Sequence, residues 1–184
     1  MESSNISIQE NFLAEEEFVA LRETLTRYEF PWHFSSTVTT FDDIDLLETP
    51  GLFSHLVYHT NAPCSPIYNT HFLPILEQLD CAVLTRIRIN ANPRLPKPYY
   101  SEFHSDTANC SNSAKEQWSV SILYINTNNG YTEFEHDGTK VESVANRLIT
   151  FPSNLQHRGV TQTDTQRRIV VNFNYLSEIP YGWK

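Results

Sequence analysis

Residues 118–135, WSVSILYINTNNGYTEFE, contain two runs of strand-forming residues on either side of the turn TNNG. The pattern continues through the turn HDG and three further short runs: KVES (140–143), NRLITF (146–151) and RRIVVNFNYL (167–176). Short strands between regularly spaced turn signals are typical of an antiparallel sandwich or barrel. We therefore predict a mainly β fold, with helices flanking one face of a double sheet.

The last of these runs, RRIVVNFNYL, indicates what the sheet encloses. Because alternate side chains of a strand point to opposite faces, one face would form a core with an arginine at its edge: Arg167, Ile169, Val171, Phe173 and Tyr175. The other face would carry Arg168, Val170, Asn172 and Asn174. A polar face on a central strand favours a strand that lines a wet pocket; a solvent-facing side is the alternative.

The segment before this block, CAVLTRIRIN (81–90), also alternates, so two isoleucines face away from two arginines: Ile87 and Ile89, and Arg86 and Arg88. Three prolines follow within ANPRLPKPYY (91–100). Proline cannot donate a ladder hydrogen bond. We predict a stiff, irregular loop there and not a strand.

The first third of the chain has a helical pattern. Within residues 7–30, apolar side chains at spacings of three and four predict one buried face: Phe18, Leu21, Leu25 and Tyr28. A second helix is predicted at about 66–79, with three inward residues and a proline that kinks it or marks its true start: Ile75, Leu76 and Leu79, and Pro74. Residues 33–63 are predicted to be irregular.

Length and composition fit one globular domain spanning residues 1–184. The chain is 40% hydrophobic and 12% aromatic, so it can bury a substantial core. Its formal net charge is −9. Proteins that bind nucleic acids without sequence preference usually present a basic face. We therefore expect no nucleic-acid partner, although a locally basic cavity mouth is compatible with this charge.

The cysteines and the N-terminal sequence indicate where the protein acts. Cys64, Cys81 and Cys110 are odd in number and share no CxxC spacing, which predicts free thiols in a reducing compartment. The N-terminus lacks the basic start and apolar core of a signal peptide. No stretch approaches the ~18 apolar residues of a membrane span. We expect a soluble cytoplasmic protein with no membrane partner.

The stretch FHSD (103–106) contains a candidate metal site. His104 and Asp106 are two residues apart, so an extended backbone would project both side chains from one edge. His157 is the best third ligand, because it follows a strand and a Pro-Ser-Asn turn. The remaining histidines are interpreted as surface or core histidines: His33, His55, His59, His71 and His136.

Two imidazoles and one carboxylate form the facial triad of non-haem Fe(II) oxygenases, which leaves metal positions open. A structural zinc site would instead use four protein ligands, usually with cysteine. No cysteine lies within two residues of a candidate ligand. The sequence therefore predicts an open site and not a closed one.

These elements together resemble a known family. The matching segments are HSD (104–106), NNGYTEF (128–134), NRLITFPSNLQHRG (146–159) and RRIVVNFNYL (167–176). The sequence resembles the Fe(II)/2-oxoglutarate-dependent dioxygenases, particularly the small prolyl-4-hydroxylase-like members of bacteria and phages. The resemblance implies a double-stranded β-helix, the cupin-like jelly roll, over residues 81–176, with residues 1–80 as helical support.

Carried over by position, the resemblance implies the roles of several residues. His104, Asp106 and His157 would be the iron ligands and the catalytic centre. Arg168, or Arg167 as the alternative, would bind the distal carboxylate of 2-oxoglutarate. Arg168 is preferred because it shares a strand face with two asparagines. The residues assigned beside it are Tyr124, through its hydroxyl on the same carboxylate, Asn172 on the polar face, and Asn90 in the pocket wall.

The resemblance also implies an activity and cofactors. Fe(II), 2-oxoglutarate and O₂ would hydroxylate an unactivated C–H bond, most simply of a prolyl or other side chain of a peptide or protein, with succinate and CO₂ as co-products. Collagen-type prolyl hydroxylases have lysine where this chain has arginine. Alternatives are a free amino acid or small metabolite as substrate, or a non-catalytic metal-binding jelly-roll module. The expected location is the cytoplasm of a bacterial or phage-infected cell.

The proline-rich loop directly precedes the candidate ligands. Residues 91–102, ANPRLPKPYYSE, are predicted to form a substrate lid, since mobile loops commonly complete such sites. Tyr99 and Tyr100 would stack on a proline ring or peptide. A static connector is the alternative.

Overall fold

The computed structural model describes residues 6–36, 50–106 and 118–177. Its strands, numbered in chain order, form two antiparallel sheets. The larger sheet contains, in spatial order, β1 (Ser7–Gln9), β9 (Leu148–Pro152), β6 (Ser119–Tyr124), β11 (Arg167–Leu176), β5 (Val83–Pro93), β3 (Leu52–His59) and β2 (His33–Ser35), with β4 (Ala62–Pro63) paired to β3. The smaller contains β10 (His157–Val160), β7 (Tyr131–Phe134) and β8 (Lys140–Glu142).

From β6 onward, the chain alternates between the two sheets. β6, β9 and β11 belong to the larger sheet, whereas β7, β8 and β10 belong to the smaller one. The inner faces of both sheets share one apolar cluster, which includes Tyr124, Phe134 and Phe151. This winding between two packed sheets is the jelly roll, and it confirms the predicted fold class.

The predicted helices pack on the outer face of the larger sheet, and both are shorter than predicted. Helix α1 (Glu15–Thr26) buries Phe18, Leu21 and Leu25 as predicted. Tyr28 was wrongly placed on that face and is 98% exposed, because the helix ends at Thr26. The residues before it also differ, since Ser7–Gln9 form strand β1 against β9.

The second predicted helix, 66–79, contains two elements. A π-helical turn (Tyr68–Phe72) leads directly into helix α2 (Leu73–Gln78), and Pro74 lies in the first turn of α2. Proline is tolerated at the first residues of an α-helix, where its fixed φ suits the helical backbone. Ile75, Leu76 and Leu79 are buried as predicted.

The prediction that residues 33–63 are irregular is wrong for their described part. β3 spans eight residues, and a bulge between Leu56 and Tyr58 breaks its alternation. The broken periodicity hid the strand from pattern analysis. Similarly, β5 continues three residues beyond the predicted end at Asn90, because pairing with β11 extends to Pro93.

Within the described parts of the chain, no helix combines the length and apolarity that a membrane span needs.

His55, in β3, makes folding stability depend on pH. Its Nδ1 donates to the Pro31 carbonyl at 3.0 Å, and its Nε2 accepts from the Ser65 hydroxyl at 2.8 Å. Burial lowers the pKa of His55 below its usual 6.5, and the neighbouring His33 acts in the same direction, against the Pro31 hydrogen bond, which raises it. The folded protein therefore favours the neutral imidazole.

We expect the free energy of unfolding to fall as the pH is lowered below about 6.5, since the unfolded chain then binds more protons than the folded one. One histidine can contribute at most about 1.4 kcal/mol per pH unit. Denaturant unfolding at pH 7.5 and 5.5 should show a smaller pH dependence for His55→Gln than for the exposed-turn variant His136→Gln. Equal dependence in the two variants would contradict the assignment.

Candidate metal and co-substrate site

A cavity of about 340 Å³ lies between the two sheets, at the lower end of the usual range for small-molecule sites. The polar faces of β5 and β11 form much of its wall. Antiparallel pairing places Arg88 opposite Asn172 and Arg86 opposite Asn174. The residues that these two strands contribute to the lining are Arg86, Arg88, Asn90, Asn92, Arg168, Val170 and Asn172.

Backbone pairing brings the three candidate metal ligands together. His104 forms an isolated antiparallel bridge with His157, the first residue of β10, and their backbones exchange two hydrogen bonds of 3.0 Å. Asp106 follows two residues later. The ligand atoms of His104, Asp106 and His157 all lie within 4.8 Å of one another, and His104 Nε2 is 3.6 Å from Asp106 Oδ1.

Both imidazoles present the same nitrogen to this centre. His104 Nδ1 lies 3.1 Å from the Glu102 carbonyl, and His157 Nδ1 lies 3.1 Å from the Leu155 carbonyl. Because a carbonyl oxygen can only accept, each Nδ1 carries a proton, and in the neutral ring the lone pair is then on Nε2. This is the tautomer that a metal requires, fixed by the hydrogen bond that the other nitrogen makes.

Burial reinforces the neutral state of His157. The ring packs against Phe134 and Phe151, with the Phe151 centroid at 4.8 Å. Burial lowers the pKa of His157, the nearby His104 acts in the same direction, and the Asp106 carboxylate and the Leu155 carbonyl oppose them. A neutral imidazole is the form that binds metal.

Asp106 is held as a carboxylate although it is buried. Burial alone would raise its pKa, but the pKa is lowered because His157 and Arg86 attract the negative charge and Asn174 donates a hydrogen bond. Asn174 Nδ2 donates to Asp106 Oδ2 at 2.8 Å, and Arg86 Nη2 lies 3.5 Å from the same oxygen. The second oxygen faces His104.

This donor set fits an Fe(II) ion. Two imidazoles and one carboxylate match the facial triad, and among the described residues no fourth histidine, cysteine or acid joins the cluster. The site therefore offers three protein ligands and leaves space for others.

Arg168 lies on the cavity wall and is only 4% exposed. Its Nε donates to the Ser143 hydroxyl at 2.8 Å, and its Nη2 lies 3.4 Å from the Thr132 hydroxyl. Among the described residues, no carboxylate lies within ion-pair distance of it. Burial lowers the pKa of Arg168, because removing a charged group from water costs free energy. The guanidinium therefore fits an anionic ligand such as the far carboxylate of 2-oxoglutarate.

Gly130, from the turn NNG, permits this placement. A Cβ atom at Gly130 would lie 2.8 Å from Arg168 Cδ and 2.8 Å from the Val160 carbonyl oxygen. A larger residue would displace the arginine side chain or the adjoining backbone. The turn glycine is thus a packing requirement of the arginine site.

No family model and no curated protein matches the sequence. Solved structures do match the fold. A Pseudomonas putida prolyl-4-hydroxylase aligns with a TM-score of 0.66 and 15% identity, over 96% of this chain and 94% of that one. A Trichoplax adhaerens prolyl hydroxylase, in complex with a peptide fragment of the hypoxia inducible factor oxygen degradation domain, also aligns. Its TM-score is 0.63 and its sequence identity 14%, over 95% of this chain and 84% of that one.

A third structure, HygX from Streptomyces hygroscopicus with nickel and 2-oxoglutarate bound, aligns with a TM-score of 0.60 and 10% identity, over 100% of this chain and 87% of that one. The chain has the fold of the 2-oxoglutarate-Fe(II) oxygenases. At these identities the likeness concerns the fold, so the residue roles rest on the geometry described above.

Of the other residues predicted to bind the co-substrate, one lines the cavity and two do not. Asn172 lines the cavity between the Arg168 and Asn174 positions of β11. Arg167 points away, and its Nη2 donates to the Thr26 carbonyl at 3.2 Å. Tyr124 is fully buried behind the wall. Its hydroxyl donates to Thr132 Oγ1 at 2.7 Å, and its ring lies 5.5 Å from the Arg168 guanidinium.

The predicted substrate residues are divided between the wall and the rim. Asn90 lines the cavity, whereas Tyr99 and Tyr100 are outside its lining. The backbone of Tyr99 bonds Thr161, and Tyr100 is bridged to Val160 and lies 5.0 Å from the Arg158 guanidinium. Both ends of the predicted lid 91–102 are therefore paired with strands.

Arg86 and Arg88 were not assigned to the site from the sequence, and Asn174 was placed on the pocket face without a contact to Asp106. Arg86 and Asn174 hold Asp106, and Arg88 lines the cavity. The sequence contained the evidence for the two arginines. The alternation that assigned Arg168 to the pocket also holds in β5, whose polar side chains face the same cavity.

Proposed function

We propose that the protein is an Fe(II)- and 2-oxoglutarate-dependent dioxygenase that hydroxylates an unactivated C–H bond. The observation that carries the proposal is Arg168, a buried guanidinium without an acidic partner among the described residues, on the wall of the cavity that holds the His104, Asp106 and His157 cluster. A non-catalytic metal module would not need that buried charge.

His104, Asp106 and His157 hold the metal and leave its remaining positions for ligands. Arg168 binds the far carboxylate of the co-substrate, while Ser143 and Thr132 orient the guanidinium. When bound, Fe(II), 2-oxoglutarate and O₂ supply the oxidising chemistry: one oxygen atom enters the substrate hydroxyl, the other enters succinate, and CO₂ leaves.

The chain's own residues also control the electrostatics of the centre. Asn174 and Arg86 keep Asp106 ionised, and the backbone carbonyls of Glu102 and Leu155 keep both Nε2 atoms available. Phe134 and Phe151 exclude water from one side of His157. These contacts pre-organise the ligands, so metal binding requires little rearrangement.

The substrate class we propose is a prolyl or other side chain of a peptide or protein, with a free amino acid or small metabolite as the alternative. Structural neighbours include prolyl hydroxylases, one of them in complex with a peptide. We further propose that residues 1–184 form one dioxygenase domain, that it acts in the cytoplasm, and that its partners exclude nucleic acids.

The first test measures succinate. Protein loaded anaerobically with Fe(II) is mixed with 2-oxoglutarate, exposed to O₂ and compared with Asp106→Ala. Slow succinate formation without added substrate, lost in the variant, is expected. Failure of 2-oxoglutarate to bind the Fe(II)-loaded protein would contradict the proposal and favour a metal-binding module.

Replacing Tyr99 and Tyr100 together by alanine tests the lid prediction. We expect less hydroxylated product per succinate formed, and unchanged metal affinity, because both side chains lie outside the cavity lining. Product quantification beside Mn(II) titration measures the two effects. Turnover that is unchanged in the double variant would refute a substrate role for these tyrosines.

A further inference from the structure

The charged side chains that line the cavity are mostly positive. Arg86, Arg88 and Arg168 contribute three guanidinium groups, and Asp106 is the one carboxylate in the described lining. The whole chain carries a formal net charge of −9, so the positive charge of the cavity is opposite in sign to the net charge of the protein. A cavity of one sign with low-dielectric walls attracts ligands of the opposite sign.

The proposed cofactors do not remove this excess. Fe(II) and the dianion of 2-oxoglutarate carry equal and opposite charges, so binding both leaves the net charge of the cavity unchanged, although Arg168 would contact the distal carboxylate. Arg86 is engaged by Asp106 and by Asn174, whose Oδ1 accepts from Arg86 Nε at 3.0 Å. Arg88 is then left with a full charge and no assigned anion.

Arg88 has no hydrogen-bond or ion-pair partner among the described residues. It lies on β5 opposite Asn172, one cavity-facing position along from Arg86. Burial lowers the pKa of Arg88, the charge of Arg86 adds to this effect, and the Asp106 carboxylate opposes it. A partly buried guanidinium of this kind is well suited to a carboxylate, which it can bind through two parallel hydrogen bonds.

Asn90 supplies a second unused group two residues further along the same face. Its Oδ1 is buried and has no hydrogen-bond partner in the described parts of the chain. Leaving a buried acceptor unpaired costs free energy that a ligand donor would recover. An N–H group near the carboxylate would satisfy it.

We propose that the substrate carries a carboxylate that Arg88 binds, beside a hydrogen-bond donor that Asn90 accepts. This inference rests on the proposed function and specifies its substrate class. Two sources share the chemistry: a free amino acid, or an acidic side chain within a peptide. An uncharged prolyl segment would leave Arg88 without an anion.

The test is a binding experiment on protein loaded with Ni(II) and 2-oxoglutarate, where Ni(II) replaces Fe(II) to prevent turnover. Three ligand sets are compared by thermal shift and calorimetry: the twenty free L-amino acids, the corresponding amides, and peptides capped at both ends that contain Asp or Glu. The first and third sets distinguish the two carboxylate sources, and the amides remove the charge alone.

We expect at least one carboxylate compound to bind the wild type, and its uncharged counterpart to bind at least about tenfold more weakly. Arg88→Gln should lose the same factor, and Arg88→Lys should retain part of the affinity. Arg94→Gln removes an equal charge from an exposed position beyond the end of β5 and should bind normally.

Three results would overturn the inference: amides that bind as tightly as acids, equal affinities in Arg88→Gln and Arg94→Gln, or no carboxylate compound that binds. The affinity for 2-oxoglutarate separates this failure from that of the proposed function. Normal 2-oxoglutarate binding in the wild type and in Arg88→Gln confirms folded protein and isolates the substrate step. A wild type that binds no 2-oxoglutarate would refute the proposed function itself.

Discussion

Replacing Arg168 with methionine is expected to abolish 2-oxoglutarate binding at working concentrations while leaving metal binding intact. Removing one partner of a buried, hydrogen-bonded charge pair costs about 2–5 kcal/mol, so the affinity should fall roughly 30-fold or more. The guanidinium is buried, with its Nε bonded to Ser143, its Nη2 beside Thr132 and its charge 5.5 Å from the centroid of the Tyr124 ring.

The same substitution should not harm the ligand-free fold. Arg168 has no acidic partner among the described residues, so methionine removes a desolvated charge and keeps most of the apolar volume. We expect the melting temperature of the ligand-free variant to stay within about 3 °C of the wild type. Saturating 2-oxoglutarate should stabilise the wild type by about 2.7 kcal/mol at a hundredfold excess over its Kd, and should leave the variant unchanged.

Arg167→Gln is the matched control, because it removes the same charge from the adjacent residue, whose side chain faces Thr26 on the opposite side of β11. Its 2-oxoglutarate affinity should stay within about twofold of the wild type. Calorimetry on the Mn(II)-loaded wild type, Arg168→Met and Arg167→Gln measures the 2-oxoglutarate affinity of each. Loss of affinity in Arg167→Gln with retention in Arg168→Met would reverse the assignment.

Strands with unbroken alternation were predictable from the sequence. RRIVVNFNYL is ten residues of strict two-residue period, and β11 lies in the larger sheet between β6 and β5 as a central strand should. A polar face on a central strand indicates either a cavity lining or a solvent-facing side, since an antiparallel sheet can have one face in water; here Arg168 and Asn172 line the cavity. The same reasoning applied to β5 would have brought Arg86 and Arg88 into the site.

Elements whose pattern is interrupted were not predictable in this way. The bulge in β3 shifts the register near Val57, so its apolar residues do not alternate regularly. Tyr28 continues the helical spacing of α1, but the backbone becomes extended at Arg27, so the Tyr28 side chain does not reach the buried face of the helix.

The grouping of His104, Asp106 and His157 was predictable because most of it is local in the sequence. The HxD spacing fixes two ligands on one extended segment, and only their bridge to His157 needed the fold. The resemblance assigns the Tyr124 hydroxyl to the distal carboxylate of 2-oxoglutarate. In the structure the ring lies 5.5 Å from the Arg168 guanidinium, and the hydroxyl donates to Thr132 Oγ1.

Replacing Asp106 with asparagine is expected to reduce metal affinity more than about a hundredfold. Loss of a residue that only orients a ligand costs about 10–100-fold, so loss of a ligand that supplies the one negative charge should cost more. Asparagine preserves shape, so the effect isolates the charge. Mn(II) titration followed by electron paramagnetic resonance measures the affinity directly, without turnover.

Asp137→Asn is the matched control for this substitution. Asp137 also lies beside a histidine, with His136 Nε2 at 3.2 Å, but on an exposed turn outside the cluster. Its removal should leave metal affinity unchanged. Retention of metal affinity in Asp106→Asn, within a fewfold of the Asp137→Asn value, would show that the centre is not a metal site.

Asn174→Ala should fall between these two variants, because it removes the 2.8 Å hydrogen bond to Asp106 and keeps the carboxylate. A loss of about 10–100-fold is expected. The loss of metal affinity should decrease in the order Asp106→Asn, Asn174→Ala, Asp137→Asn. This order is expected if the Asp106 carboxylate binds the metal and the Asn174 amide orients that carboxylate. If Asn174→Ala instead matched Asp106→Asn, the charge of Asp106 would be secondary to its orientation, and Arg86 alone would not hold the carboxylate in place.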